Sequence, residues 1–398
     1  MADTDKRSDR KPADERFDRK TVALLSFAHF AHDTYPAFLG VLLPLLIPKL
    51  DISLAVAGIL ASGIRWTSFL QPLLGYLADR MDTRYWVIIT PTATAVLMSL
   101  AGTAPGEAML LVLLLMTGIS HSAFHPSAGA MATRAAGQRW GKAMAWFMTG
   151  GELGRTVGPV YIAAVIALVG LERSWIAFAP GLLASILLYL RLDRGPTVRI
   201  PPPGRIRQVL REGRVPVAVL SLVTFVRALA NVGFLVFYPT FATGAGVSLL
   251  TAGAGLTLYE AGGALGAFIG GTISDRLGRR WTMAIGVALA VPALAGSVLL
   301  GPTLVGIGLL AIGGFALLSG QSVELATMQE MFPDNRSSAV GMTNFIRSGA
   351  AIVGLVAIGG LADIIGLRET LLIATACGLI ALPVLALLRQ VQQVGVRP

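Results

Sequence analysis

Two short stretches hold all four histidines of the 398-residue chain: HFAHD, with His29, His32 and Asp33, and HSAFH, with His121 and His125. An imidazole titrates near neutral pH and exchanges its proton on a small change of surroundings, and a carboxylate beside it can pass or stabilise that proton. At i, i+3 and i+4 the first three residues share one face of a helix, and at i and i+4 the second pair does too. The chemistry on offer is a proton relay. For any one histidine alone a packing hydrogen bond between helices is an equal reading, but four of four in two stretches favours function. Imidazole and carboxylate also suit a transition-metal ion. HSAFH has the histidine spacing of a zinc-hydrolase helix, yet it lacks the glutamate of H-E-x-x-H that serves as general base. No catalytic or metal-ligating residue is therefore assigned, and no enzyme is expected.

The elements that hold those faces have to be helices in lipid. The chain is 54% hydrophobic and 14% charged, with mean hydropathy +0.70, where a soluble protein carries about 25% charged residues. A spanning helix needs about 20 apolar residues to cross roughly 30 Å of hydrocarbon. Apolar segments fall near 21–48, 54–77, 85–103, 108–131, 143–169 and 175–190, and again near 216–241, 249–273, 281–300, 304–329, 340–366 and 370–388. They predict an all-α integral membrane protein of twelve spans in two six-helix bundles, 21–190 and 216–388. Residues 1–20 and 389–398 read as cytoplasmic tails, the first without the apolar core of a signal peptide, and 191–215, with three consecutive prolines, as a cytoplasmic linker,. Assigning loops to alternate sides puts 25 of the 32 Lys and Arg on one side, three on the other (Lys49, Arg173, Arg368) and four within spans. That split predicts a multi-pass protein of the inner membrane with both termini cytoplasmic, and it explains the net charge of +10 without a nucleic-acid partner,.

Charges inside hydrocarbon cost several kcal/mol unless they are paired or face water, so each is a functional candidate. They are Asp33, Arg65, Glu152, Arg155, Arg227, Glu260, Glu324 and Arg347. Glu152 and Arg155, at i and i+3, can form an intrahelical ion pair, which is either structural or a protonation switch. Arg227 with Asn231, Gln321 with Glu324, and Asn344 with Arg347 make one-faced polar pairs on three further spans,. Arg65, Arg155, Arg227 and Arg347 exceed what Asp33, Glu152 and Glu324 need if the histidines can also charge, and a guanidinium fork binds carboxylate or phosphonate oxygens in bidentate fashion, so the pattern predicts a small anionic substrate. Pairing of every arginine inside the protein is the alternative.

The halves repeat: GYLADRMDTRYW (75–86) recurs as GGTISDRLGRRW (270–281). The repeat resembles the loop motif G-x-x-x-D-R/K-x-G-R/K-R/K of the major facilitator superfamily. Gly271, Asp275, Arg276, Gly278, Arg279 and Arg280 match it throughout, while Gly75, Asp79, Arg80 and Arg84 match in the first half, where Asp82 and Thr83 depart. Within that superfamily HFAHDTYPAFLGVLLPLLIPKL, SFLQPLLGYLADR, SAFHPSAGAMA, GGELGRTVGP and QEMFPDNRSSAVGM are similar to fosmidomycin-resistance exporters. The resemblance implies two pseudo-symmetric bundles around an aqueous cavity lined by spans one, four, seven and ten, placing the histidines around one chamber. It implies a monomer that exports a small toxic compound in exchange for protons by alternating access, without a cofactor. The loop motifs would latch the halves together, and Gly154, Gly158 and Pro159, a partial match to the span-five antiporter motif, would act as a hinge. Leu114 stands where proton antiporters of this kind often carry an arginine. Proton-coupled uptake of an organic anion is the competing expectation, ahead of metal-ion transport.

Overall fold

The computed structural model describes residues 17–70, 73, 74, 77, 82–193, 214–332 and 336–387, with the side chains of 214–216 and 336–338 left aside. Gly75, Asp79 and Arg80, most of the linker, the last residues of the chain and residues 1–16 lie outside the described residues. Helices occupy all twelve expected places. They are α1 (Arg19–Thr34) and α2 (Phe38–Leu50), which share the first span, then α3 (Leu54–Trp66), α4 (Arg84–Ala101), α5 (Glu107–Ala135), α6 (Trp140–Val169) and α7 (Ala179–Arg191). The second set is α8 (Arg214–Gly244), α9 (Leu249–Leu277), α10 (Arg279–Leu299), α11 (Leu304–Met331), α12 (Arg336–Ile365) and α13 (Leu367–Cys377), the last continuing to residue 387. Among the described residues nine helices are long and apolar enough to cross a bilayer, with Leu54–Leu70 a shorter apolar one. α4 and α9 complete the set.

Local chemistry sets the boundaries. α1 begins at Arg19 because the Asp18 carboxylate accepts the Lys20 and Thr21 amides at 3.0 and 3.1 Å,. The Thr21 hydroxyl, with those amides, holds that carboxyl below its ordinary pKa. The first span breaks at residues 35–37, beside Pro36,. There the buried Tyr35 hydroxyl donates to the Ala177 carbonyl at 3.1 Å and accepts the Gly181 amide at 2.8 Å, which fixes the break against α7. Gly278, at φ 84°, separates α9 from α10 in a conformation that other residues rarely adopt,. At the matching place in the first half Asp82 instead accepts the Arg84 amide at 3.0 Å.

The two sets of helices meet at the end of the molecule remote from the termini. The Leu54 and Ala55 amides of α3 donate to the two carboxylate oxygens of Asp363 on α12, both at 2.9 Å. Below them Gly58 packs on the Leu355 carbonyl and Gly359 on that of Leu54, where a Cβ has no room. On the other side α6 meets α9, with the Val160 amide donating to the Thr257 hydroxyl at 3.2 Å. Toward the termini the halves touch through the Phe69 and Phe345 rings, 5.1 Å between centroids.

Candidate functional site

α1 presents His29, His32 and Asp33 to α5 and α6, and all three are buried in the first half rather than open to a chamber. The approach is close because Gly150, Gly154 and Gly158 of α6 sit on the carbonyls of Ser26, Phe30 and Thr34, four residues apart on each helix,. Gly154 and Gly158 thus form a packing seam within one half, and Pro159 lies against Gly253 of the other half.

Asp33 is the centre of this cluster. One of its oxygens accepts from Arg155 Nη1 at 2.9 Å and lies 3.3 Å from His29 Nε2, and its other oxygen lies 3.5 Å from His125 Nε2. Arg155 also pairs with Glu152, three residues back on α6. His125 Nε2 is in turn 3.0 Å from His121 Nε2. His32 stacks on Phe124 at 4.2 Å and faces the His121 ring at 5.5 Å. His29 stacks on Phe147 at 4.1 Å.

The hydrogen bonds set the proton positions. His29 Nδ1 lies 2.7 Å from the Phe147 carbonyl, which can only accept, so His29 carries a proton on Nδ1,. In a neutral His29 the acceptor Nε2 would then face the acceptor Asp33. One more proton between them turns two opposed acceptors into a bond. His29 Nε2, both ring nitrogens of His32 and Asp33 Oδ1 are buried without a hydrogen-bond partner among the described residues. Groups so placed cost about 1–3 kcal/mol each, which a proton or a small rotation relieves.

His32, Asp33, His121 and His125 offer ligand atoms within 4.8 Å of one another, the donor set of a transition-metal site,. Asp33 is already neutralised by Arg155, a fixed cation that a divalent ion would have to oppose,. The set fits an imidazole–carboxylate proton chain better.

In the second half the polar residues surround a cleft with about 50 Å³ of open space, lined by Arg65, Arg227, Asn231, Gln321, Glu324 and Arg347. At about 10–15 Å³ for each water it holds, that is room for a few water molecules. Arg227, buried on α8, pairs with Glu324 of α11 and donates to the Leu317 carbonyl. Asn231 accepts from the Tyr259 hydroxyl at 2.7 Å, which leaves its amide donors for the cleft,. Arg65 and Arg347, one from each half, have no acidic partner within 4 Å among the described residues, and Arg347 Nη2 is buried and unbonded. Asn344 is exposed one turn from Arg347. Glu260 is buried on α9 and faces Arg155 and Glu152 of α6.

The loop residues of the second half bind within it. Arg279 pairs with Asp275 at 2.7 Å and with Glu330 of α11 at 2.7 Å. Arg84 of the first half donates to the Leu192 and Tyr189 carbonyls at the end of α7. Phe124, Phe147, Tyr259 and Asp363 went unmarked in the sequence, where an apolar ring or a near-terminal acid looks like any other.

Comparison with known proteins accords with this architecture. The Major Facilitator Superfamily matches the chain twice, over residues 25–219 and 220–397. The uncharacterized MFS-type transporter YfnC of Bacillus subtilis is 25% identical over 92% of this chain and 91% of its own length. The fosmidomycin resistance protein of Escherichia coli is 27% identical over 86% of each. Among solved structures, a bacterial homolog of the human lysosomal transporter Spinster, inward-facing and unoccupied, superposes with TM-score 0.81 at 17% identity, covering 98% of this chain and 99% of that one. The nucleoside transporter NupG superposes with TM-score 0.76 at 15% identity over 92% and 98%.

Proposed function

The chain belongs to the Major Facilitator Superfamily, and from that premise we propose that this multi-pass transporter exports a small anionic compound in exchange for protons. The observation that carries the reading is the placement of Asp33 between Arg155 and His29, together with a cleft lined by Arg65 and Arg347, which have no acidic partner within 4 Å among the described residues. Protonation in the Asp33–His29 pair weakens its hold on Arg155, so proton occupancy and the charge facing the cleft change together. Glu152, His32, His121 and His125 extend the path that protons follow. Arg65 and Arg347 hold the anion, Asn231 and Gln321 select its remaining polar groups, and Arg227 with Glu324 forms the wall.

On this reading the termini lie in the cytoplasm, the remote end, where Asp363 holds α3, is the outer one, and the transporter works as a monomer in the inner membrane,. Opening that end requires Asp363 to release α3, while Asp275, Arg276 and the first-half loop close the other side. Alternating access then needs proton and cargo to favour opposite steps, and each charge moved inward contributes about 2.3 kcal/mol per 100 mV.

Proteoliposomes with an imposed pH gradient test the reading, with fosmidomycin as the first compound because the 27%-identical relative is named for resistance to it. Uphill movement against the proton flow, collapsed by a protonophore, is the expected result. Accumulation in the same direction as the protons would establish uptake instead, and pH-independent flux would remove the proton from the mechanism.

A further inference from the structure

Arg65 and Arg347, which have no acidic partner within 4 Å among the described residues, lie close in the chain to an aromatic contact between the halves. α3 runs toward the termini, so Phe69 lies one turn beyond Arg65 on that side, and α12 runs away from them, so Phe345 lies two residues before Arg347 on the same side,. The two rings are 5.1 Å apart and inclined at 58°, although each is more than 40% exposed. They belong to opposite halves and touch on the terminal side of the cleft that Arg65 and Arg347 line.

The backbone at this point is unlike the rest of the span. α3 ends at Trp66 and tightens into a 3-10 turn over Thr67–Leu70. A stretch of this kind inside a span often marks a hinge. Its start is anchored: the Thr67 carbonyl accepts from the Ser122 hydroxyl at 3.1 Å, and Gly118 of α5 leaves room only for the Thr67 side chain and the Ile64 carbonyl. Phe69 is thus carried on a short tight turn pinned to its own half at one end.

Electrostatics supply the force. Arg65 and Arg347 line the same cleft and carry like charge, so they repel one another across the contact of α3 with α12,. A dianion or monoanion between them reverses that sign, since each guanidinium can donate two bonds to the same oxyanion. Arg227 does not share this role, because Glu324 and the Leu317 carbonyl occupy it.

We infer that an oxyanion bridging Arg65 and Arg347 holds α3 against α12, and that it thereby secures the Phe69–Phe345 contact as the gate on the terminal side of the site. The inference rests on the anionic-cargo reading and adds the pair of gate residues and the means by which cargo secures them. Securing this contact precedes release of the Asp363 contact at the far end, so the site is never open to both sides.

The test places cysteines at both gate positions, Phe69→Cys and Phe345→Cys, in a Cys377→Ser background, and measures disulfide yield in detergent-purified protein with methylphosphonate or fosmidomycin as the probe. Binding of each probe to the parent protein is first measured by calorimetry. A bound probe is expected to raise the cross-linking rate at least threefold, and Arg347→Gln or Arg65→Gln to abolish that rise while the protein still elutes as a single species. Probe binding that leaves the rate unchanged, or a rise that survives both glutamine variants, overturns the gate and leaves the anionic reading standing. Absence of binding by both probes overturns the two together.

Discussion

The two halves put their buried charges to different use. In the first half Asp33 is shared among Arg155, His29 and His125, and several nitrogens and one oxygen around it lack partners. In the second half Arg227 faces one acid and one carbonyl, and Tyr259 secures Asn231. A network with more acceptors than protons can change state when one proton arrives, whereas a matched pair resists change because breaking it strands a buried charge. On the proposed function, that difference makes the first half the one that responds to protons and the second a fixed wall.

The largest effect should come from Asp33→Asn. The amide keeps the shape but removes the charge that holds Arg155 and cannot exchange a proton with His29. Proton-driven transport in proteoliposomes is expected to fall more than about a hundredfold, by analogy with the loss of a geometry-preserving acid in a proton-relay site, with unchanged elution of the purified protein. Retained pH-driven transport would erase the distinction between the halves.

Arg227→Ala should act on folding instead of coupling. Removing one partner of a buried pair costs about 3–5 kcal/mol, so the yield of folded protein is expected to collapse. Replacing both partners, as Arg227→Met with Glu324→Leu, should restore much of the thermal stability. If Arg227→Ala folds normally but loses substrate affinity, Arg227 belongs with Arg65 and Arg347 and the second half is no fixed wall.

What the sequence made visible follows the physics of each feature. Spans are long-range averages of apolarity, so all twelve places were legible, and even the charged faces of α1 and α5 followed from period 3.6. Partner choice was not. His29, His32 and Asp33 lie on one face, but whether that face meets a cavity or another helix depends on the glycines of α6 that let α1 approach. Arg227 was counted with the free arginines because Glu324 is 97 residues away in the chain. The loop motif implied a latch between the halves; Arg279 binds Asp275 and Glu330 within its own half, and Asp79 and Arg80 of the first-half copy lie outside the described residues.

Tyr259→Phe offers a finer probe of the fixed wall. The hydroxyl donates to Asn231 Oδ1 at 2.7 Å, and its loss is worth about 0.5–1.5 kcal/mol,. Released, the Asn231 amide can turn within the cleft. Substrate affinity is therefore expected to weaken about two- to tenfold in a direct binding assay, with coupling to protons intact. A change in proton stoichiometry instead would show that the second half also senses protonation.

The smallest effect bears on the contact that lets the halves act as one machine. The Asp363 carboxylate accepts two amides at the N-terminus of α3, at 2.9 Å each, and its negative charge faces the positive end of that helix,. Asp363→Asn keeps one acceptor oxygen and loses the second bond and the charge, a change worth about 0.5–1 kcal/mol at an exposed helix end. The balance should move about two- to fivefold toward the state open at the remote end. Spin labels at Leu168→Cys and Leu304→Cys, both exposed at that end, would report it as a larger population of long distances in a Cys377→Ser background. Because neither Asp33 nor the arginine cleft is touched, the ratio of protons to cargo should stay fixed while the rate changes. A changed ratio would mean that the seal itself carries a proton, and the division between a responsive half and a fixed one would have to be redrawn around the interface.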